Sequence, residues 1–250
     1  MRKATLVVLL ALVTFGLASV AQTDLSDEEL LTTLDDARFP DGDSTIMTME
    51  IVADRPDGTE QATVKVFTKR IDGEYYNRVE MLAPEEMAGQ VYLVTPEATF
   101  LWNPDLFEPL RIGNQIDVFG DASVAETVGV GYADDYRITA RREVTLASGA
   151  TGLEIDLEAT SDEVAFPSAR VRVDIESMRP LAMRLFAASG EPINDVTFEE
   201  YAEIDGDAYI RKELIESQVI PENKTLVTIT DVAATELSDA LFDPDELGET

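Results

Sequence analysis

Fifty side chains of this sequence are carboxylates, nineteen are basic, and none is a thiol or an imidazole. Thiol nucleophiles, Ser-His-Asp triads and zinc sites built from His and Cys are therefore excluded. Three acidic loops, Asp41-Gly42-Asp43, Asp205-Gly206-Asp207 and Asp243-Pro244-Asp245-Glu246, offer the hard oxygen ligands that calcium takes. None has the spacing of an EF-hand loop, and acidic turns arise by chance in such a composition, so no metal and no cofactor is expected. Two carboxylates suffice for glycoside hydrolysis, and Tyr75, Tyr76 and Trp102 are able to stack sugars. Nothing singles out a pair, and strands favour aromatics in any case; no catalytic residue is assigned. A hydrolase using two carboxylates stays open as a trailing alternative to binding.

The elements that must position a binding site are mostly strands. From Ser44 to Ile112 the chain alternates with period two and is punctuated by Pro, Gly and Asp, the signature of consecutive hairpins. Met47, Met49 and Ile51 share one face of the first strand, opposite Ile46, Thr48, Glu50 and Val52. Ala62, Val64 and Val66 share a face of the second, opposite Thr63, Lys65 and Phe67. Tyr75, Asn77, Val79 and Met81 share a face of the third. Further strands are expected at residues 90–94, 98–102 and 106–112, then at 135–146, 151–159, 169–175, 180–187, 193–201, 207–217 and 225–232. A short acidic segment, 121–128, reads as helical and crosses from the first half of the sheet to the second. Residues 238–247 close the chain as a short helical turn.

The clearest helix is Leu25–Ala37. Ser26 is its N-cap and Glu29 lies three residues on, a capping box, with Leu25 and Leu30 placed as a hydrophobic staple. Asp27, Glu28 and Glu29 fill the first turn, where the macrodipole favours them. Leu30, Leu31, Leu34 and Ala37 form its apolar stripe. Two readings stand for this helix: a plug for one open end of the sheet, or a lid over a cavity. Ahead of it, Arg2 and Lys3, an apolar run from Ala4 to Leu17 and Ser19-Val20-Ala21 describe a secretory signal cleaved after Ala21. The run is shorter than the roughly 20 residues of a spanning helix. An exported, soluble chain of one domain, residues 22–250, is expected, standing on its core without disulfides.

The formal charge of −31 repels nucleic acid and anionic head groups. It also suits a surface adapted to salt, where counterions screen self-repulsion.

Five stretches then acquire meaning from their order. They are a Pro84-to-Gly89 loop, a Trp102 strand leading to Arg111, Gly120-Asp121 before the crossover, an Arg179-Pro180-Leu181…Gly190…Phe198-x-x-Tyr201…Asp205-Gly206 block, and a terminal Leu241-Phe242-x-Pro244-x-x-Leu247. Together they resemble the LolA-like outer-membrane lipoprotein-sorting proteins, from about Phe39 to Leu247. The family's lysine-rich surface is replaced here by acid. The resemblance implies a mainly β fold: an incomplete, half-open antiparallel β-barrel with helices covering its concave face. It also implies a periplasmic, non-enzymatic carrier of lipoprotein acyl chains or another lipid, acting as a monomer between an inner-membrane transporter and an outer-membrane acceptor. The alternative is a sensor or scaffold that reuses the fold without moving lipid.

If the chain is a carrier, the strand faces nominate its lining as Met47, Met49, Ile51, Val64, Val66, Val79, Met81, Leu93, Phe100 and Trp102, with Leu30, Leu31 and Leu34 on the lid helix. Unbranched Met suits a cavity that must close when empty. The same residues equally describe an ordinary sheet core.

Overall fold

The computed structural model describes residues 25–38, 44–113, 115–129, 131–162, 164–204 and 206–248. The expected signal segment and Asp41-Gly42-Asp43 lie outside the described residues. One helix, α1 (Asp27–Asp36), precedes six strands: β1 (Ser44–Arg55), β2 (Gly58–Ile71), β3 (Glu74–Ala83), β4 (Val91–Val94), β5 (Thr99–Trp102) and β6 (Leu110–Ile112). A crossover follows, made of a small hairpin, β7 (Asp117–Phe119) and β8 (Ala122–Ser123), and two short helices, α2 (Val124–Val128) and α3 (Tyr132–Asp135). The chain then returns through β9 (Tyr136–Thr145), β10 (Thr151–Ala159), β11 (Ser168–Asp174), β12 (Pro180–Phe186), β13 (Pro192–Ile204), β14 (Asp207–Ser217) and β15 (Lys224–Ala234). Two 3₁₀ turns, Asp239–Phe242 and Pro244–Glu246, end it.

Thirteen strands of the described residues form one antiparallel sheet in the order β6-β5-β4-β3-β2-β1-β15-β14-β13-β12-β11-β10-β9. The sheet does not close: β6 and β9 are its free edges. Each half is a meander of neighbouring hairpins, and the two halves are joined in the middle by β1 with β15, from Thr45 opposite Ala234 to Asp54 opposite Lys224. Register shifts at Thr48/Met49 in β1 and twice between Phe198 and Tyr201 in β13 are bulges of the kind that bend a sheet. The chain must travel from one free edge to the other between β6 and β9, so the crossover passes over the concave face and fills it.

Local chemistry makes α1 as the sequence predicts. Ser26 Oγ accepts from the Glu29 N–H at 3.2 Å while Glu29 Oε2 accepts from the Ser26 N–H at 2.9 Å, and Leu30, Leu31 and Leu34 are buried. A second capping box, Ser123 with Glu126, starts α2, all of whose residues are buried; a helix so short stands on that packing. The predicted strand 106–112 begins only at Leu110, because residues 103–109 turn and leave Phe107 fully exposed. Gly120 marks where the crossover presses on the sheet. Its φ is +65°, and a Cβ there would lie 2.6 Å from Thr225 Oγ1 and 2.8 Å from Ala53 Cβ. Next to it the Asp121 N–H donates to Thr225 Oγ1 at 2.9 Å, and Arg55 donates to the Gly120 carbonyl at 3.0 Å.

The main core lies between the concave face, α1 and the crossover. A second cluster lies on the other face, where Phe67, Val91 and Leu93 are covered by Leu237, Phe242 and Leu247. Among the described residues no helix is long and apolar enough to cross a membrane.

Candidate functional site

A cavity of about 610 Å³ remains between the ends of β1–β5 and the segments that cover them. Its sheet wall carries Thr45, Met47, Thr68, Asn77, Val94 and Thr99; facing it stand Ala125 and Val128 of α2 and Val164 and Ala165 of the β10–β11 loop. The side-chain amide of Gln115, in the crossover, donates to the Ala165 carbonyl and ties these two covering segments together. The wall is thus partly oily and partly hydroxyl and amide.

The C-terminal end of α1 closes one side through an ion pair. Arg38 donates to Asp35 Oδ1 at 2.6 Å and lies 3.7 Å from the centroid of the Tyr132 ring. Asp35 in turn accepts from the N–H groups of Tyr132, at 3.0 Å, and Ala133, at 2.8 Å, and the Arg38 carbonyl accepts from Ile210 N–H at 3.0 Å. A cation just past a helix C-terminus complements the macrodipole, which Asp35 and Asp36 alone would oppose. As a result α1 is fastened to α3 and to β14.

The cavity rim is acidic: Asp36, Glu74, Glu97, Asp134, Asp135 and Asp162 line it beside two cations, Arg70 and Arg111. Burial, then the charges of Asp134 and Asp35, push the Asp135 carboxyl up to about 6. Behind Met47, Val128 and Gly129 lies a second space of about 50 Å³, bordered by Met49, Arg38, Glu126 and Glu213. There burial, then the neighbouring Glu126, push the Glu213 carboxyl up to about 8 against the pull of Arg38. Burial also raises Glu126, although Ser123 and Asn194 hydrogen-bond to it.

A family model described as "-like: Uncharacterized protein" matches residues 73–249. The chain belongs to that family. No curated protein matches it. Three solved structures share its fold. A LolA superfamily protein from Nitrosomonas europaea is 18% identical, with 88% of this chain and 98% of that chain covered and a TM-score of 0.80. A DUF1329 family protein from Desulfovibrio piger is 16% identical, with coverages of 88% and 97% and a TM-score of 0.76. A candidate outer-membrane lipoprotein-sorting domain from Vibrio parahaemolyticus is 15% identical, with coverages of 88% and 97% and a TM-score of 0.76. The fold is LolA-like, a mainly β sheet left open, as the order of motifs led us to expect.

Within this LolA-like frame the nominated lining residues separate into three groups. Met47 lines the large cavity, and Met47 and Met49 border the small one. Ile51, Val64, Val66, Val79 and Met81 are on the concave face as expected but sit in closed core with Leu30, Leu31 and Leu34; the crossover fills the space in front of them. Leu93, Phe100 and Trp102 require correction. They lie on the opposite face, Leu93 beneath Phe242 and Leu247 and Trp102 against Gly248, where a Cβ would come within 2.6 Å of the indole. The register explains it: Val79 pairs with Tyr92 and Val94 with Thr99, so those residues point inward and their neighbours outward. Val91–Val94 is apolar at every position, and such a run carries no parity in its sequence.

The polar cavity residues and Arg38 were missed. The signal for the former was present, since one face of each strand from β1 to β3 changes from apolar to Thr or Asn at the same end. The ion pair of Arg38 with Asp35 is local, three residues apart, whereas its seat on the Tyr132 ring is set by packing between segments distant in sequence. Among the described residues no three acidic groups converge to hold a metal ion.

Proposed function

We propose that this chain is an exported, non-enzymatic binding protein that shelters an apolar chain, from a lipid or the acyl group of a lipoprotein, in the cavity between its sheet and its crossover. The single observation that carries the reading is the cavity itself. At about 610 Å³ it falls within the roughly 300–1,000 Å³ of small-molecule sites, and its oily walls meet at Met47, Val94 and Val128. Each methylene taken from water into such walls contributes about 0.8 kcal/mol. The N-terminal pattern of basic, apolar and small residues supports the periplasm as its location, and the lipoprotein-sorting domain that shares its fold supports the kind of guest. Transport between an inner-membrane donor and an outer-membrane acceptor belongs to the same proposal.

Native mass spectrometry of protein purified without detergent tests it. The expected result is a mass excess equal to one or more lipids, lost when Met47→Trp fills the cavity. Protein that leaves the cell without a guest and takes up no neutral alkyl compound would overturn the carrier. A sensor or scaffold would then be the better reading, and one observation favours it already: most of the concave apolar face is occupied by the protein's own side chains.

A further inference from the structure

We propose that the cavity selects its guest by head group: it seats a neutral or cationic head bearing hydroxyls or amines on a polar row of Thr45, Thr68, Asn77 and Thr99, and turns away carboxylate and phosphate heads. The inference rests on the cavity being a guest site, as argued above. The row is built by strand register. Thr45 pairs with Thr68, Thr68 with Asn77, Asn77 with Val94, and Val94 with Thr99, so four polar side chains cross β1 to β5 in one line, and all of them line the cavity.

Two residues further along the same face the equivalent line is Met47, Val66, Val79 and Tyr92; Met47 borders the cavity and the other three are closed core. A wall meant only for hydrocarbon would continue that pattern. Instead Thr45 and Thr99 are each 5% exposed and Asn77 8%. Thr68 Oγ1 donates to Asn77 Oδ1 at 2.8 Å, which leaves the Asn77 amide N–H groups for the cavity. The side-chain hydroxyls of Thr45 and Thr99 are not among the buried polar atoms left without a partner, and both residues line the cavity. Each hydroxyl can both donate and accept, and a guest that displaces water from this wall without replacing its hydrogen bonds loses affinity, so the row favours a head group that hydrogen-bonds.

The rim decides the sign of the head. Carboxylates accept hydrogen bonds and cannot donate, so hydroxyl and ammonium groups pair with Asp134, Asp135 and Glu74 where an anion is repelled. The two arginines keep their charge but are outnumbered by the six rim carboxylates. Arg70 Nε donates to the Gly73 carbonyl at 2.9 Å and stands 5.1 Å from the Tyr75 ring centroid, and Arg111 donates to the Glu97 carbonyl at 2.9 Å. The net charge of −31 adds a field of the same sign.

Titration calorimetry at low salt with octyl glucoside, octylamine and octanoate, all below their micelle-forming concentrations, tests the idea on a fixed tail. The expected order places octyl glucoside and octylamine on one shared site, with octanoate weaker by at least about tenfold, a gap that narrows in molar salt. The Thr45→Val/Thr99→Val double variant, nearly isosteric, should bind octyl glucoside about fivefold or more weaker with no loss of melting temperature. Octanoate binding as tightly as octyl glucoside overturns head-group selection and leaves the cavity reading standing. So does octylamine that octyl glucoside cannot displace, which is surface pairing, or a folded double variant that binds octyl glucoside like the parent. Failure of all three compounds to bind overturns the cavity reading and this inference with it.

Discussion

Glu213 shows what a single side chain contributes here. Its carboxyl is raised from 4.5 to about 8, so the folded chain holds that proton more tightly than the unfolded chain does. The stability this confers is complete below about 4.5 and is lost as pH rises through about 8. Asp135, raised from 3.8 to about 6, acts in the same sense over a lower window. Glu154 and Asp156 act oppositely: hydrogen bonds from Arg172 and Arg142 to the first, and from Arg142 and Arg170 to the second, outweigh burial and hold both below the usual carboxylate range. Their contribution is lost only as pH falls through their own lowered values. Melting temperature should therefore decline from about pH 5 to about pH 9, and Glu213→Gln should flatten that decline and leave the variant the more stable at the alkaline end. Parallel curves for parent and variant would show that Glu213 ionises freely.

At the scale of elements, α1 and the C-terminal turns do matching work on opposite faces. The helix buries Leu30, Leu31 and Leu34 and is pinned at its far end by Asp35 and Arg38, the same end that supplies Asp35 and Asp36 to the cavity. The terminal turns press Phe242 and Leu247 onto Leu93, held by Lys69 donating to the Leu237 carbonyl at 2.6 Å and Arg78 to the Leu241 carbonyl at 3.2 Å. Leu31→Asp removes a buried leucine and strands a carboxylate in its place, for a loss on the order of 3–5 kcal/mol, and should weaken retention of any guest by displacing the cavity wall. Thr32→Asp, exposed on the same helix, should change neither. Calorimetric melting together with guest uptake checks both, and unchanged uptake in a destabilised Leu31→Asp would reduce α1 to packing.

The whole molecule is governed by its surplus of acid. On the outer face of β9–β11, Arg142 bridges Glu154 at 2.7 Å and Asp156 at 2.7 Å, Arg170 reaches Asp156 at 2.6 Å, and Arg172 reaches Glu154 at 2.8 Å. Such partly exposed pairs contribute little singly, and salt weakens them. Salt also screens repulsion among the unmatched carboxylates, and with a net charge of −31 that effect is the larger. Raising salt from about 0.01 M to about 1 M shortens the Debye length from about 30 Å to about 3 Å and should raise the melting temperature. A flat or falling curve would mean that the acidic surface is not an adaptation to salt.

What the sequence determined by itself was whatever depends on neighbours along the chain. Period-two alternation places Met47, Met49, Ile51, Val64 and Val66 on one face, and Ser26 with Glu29 starts α1. Several of the marks that carried the resemblance prove to be local or hairpin-scale devices. Gly89 (φ +85°) lets its N–H donate to the Met81 carbonyl at 2.9 Å, and the Tyr201 hydroxyl donates to the Pro180 carbonyl at 2.6 Å. Only the tertiary structure decided which faces of β4 and β5 look inward, that Arg38 would lie over the Tyr132 ring, and where the interior stays open. Those outcomes depend on how residues 113–135 and the C-terminal turns pack against strands far away in sequence, and the volume left unfilled between such segments leaves no periodic trace in any one of them.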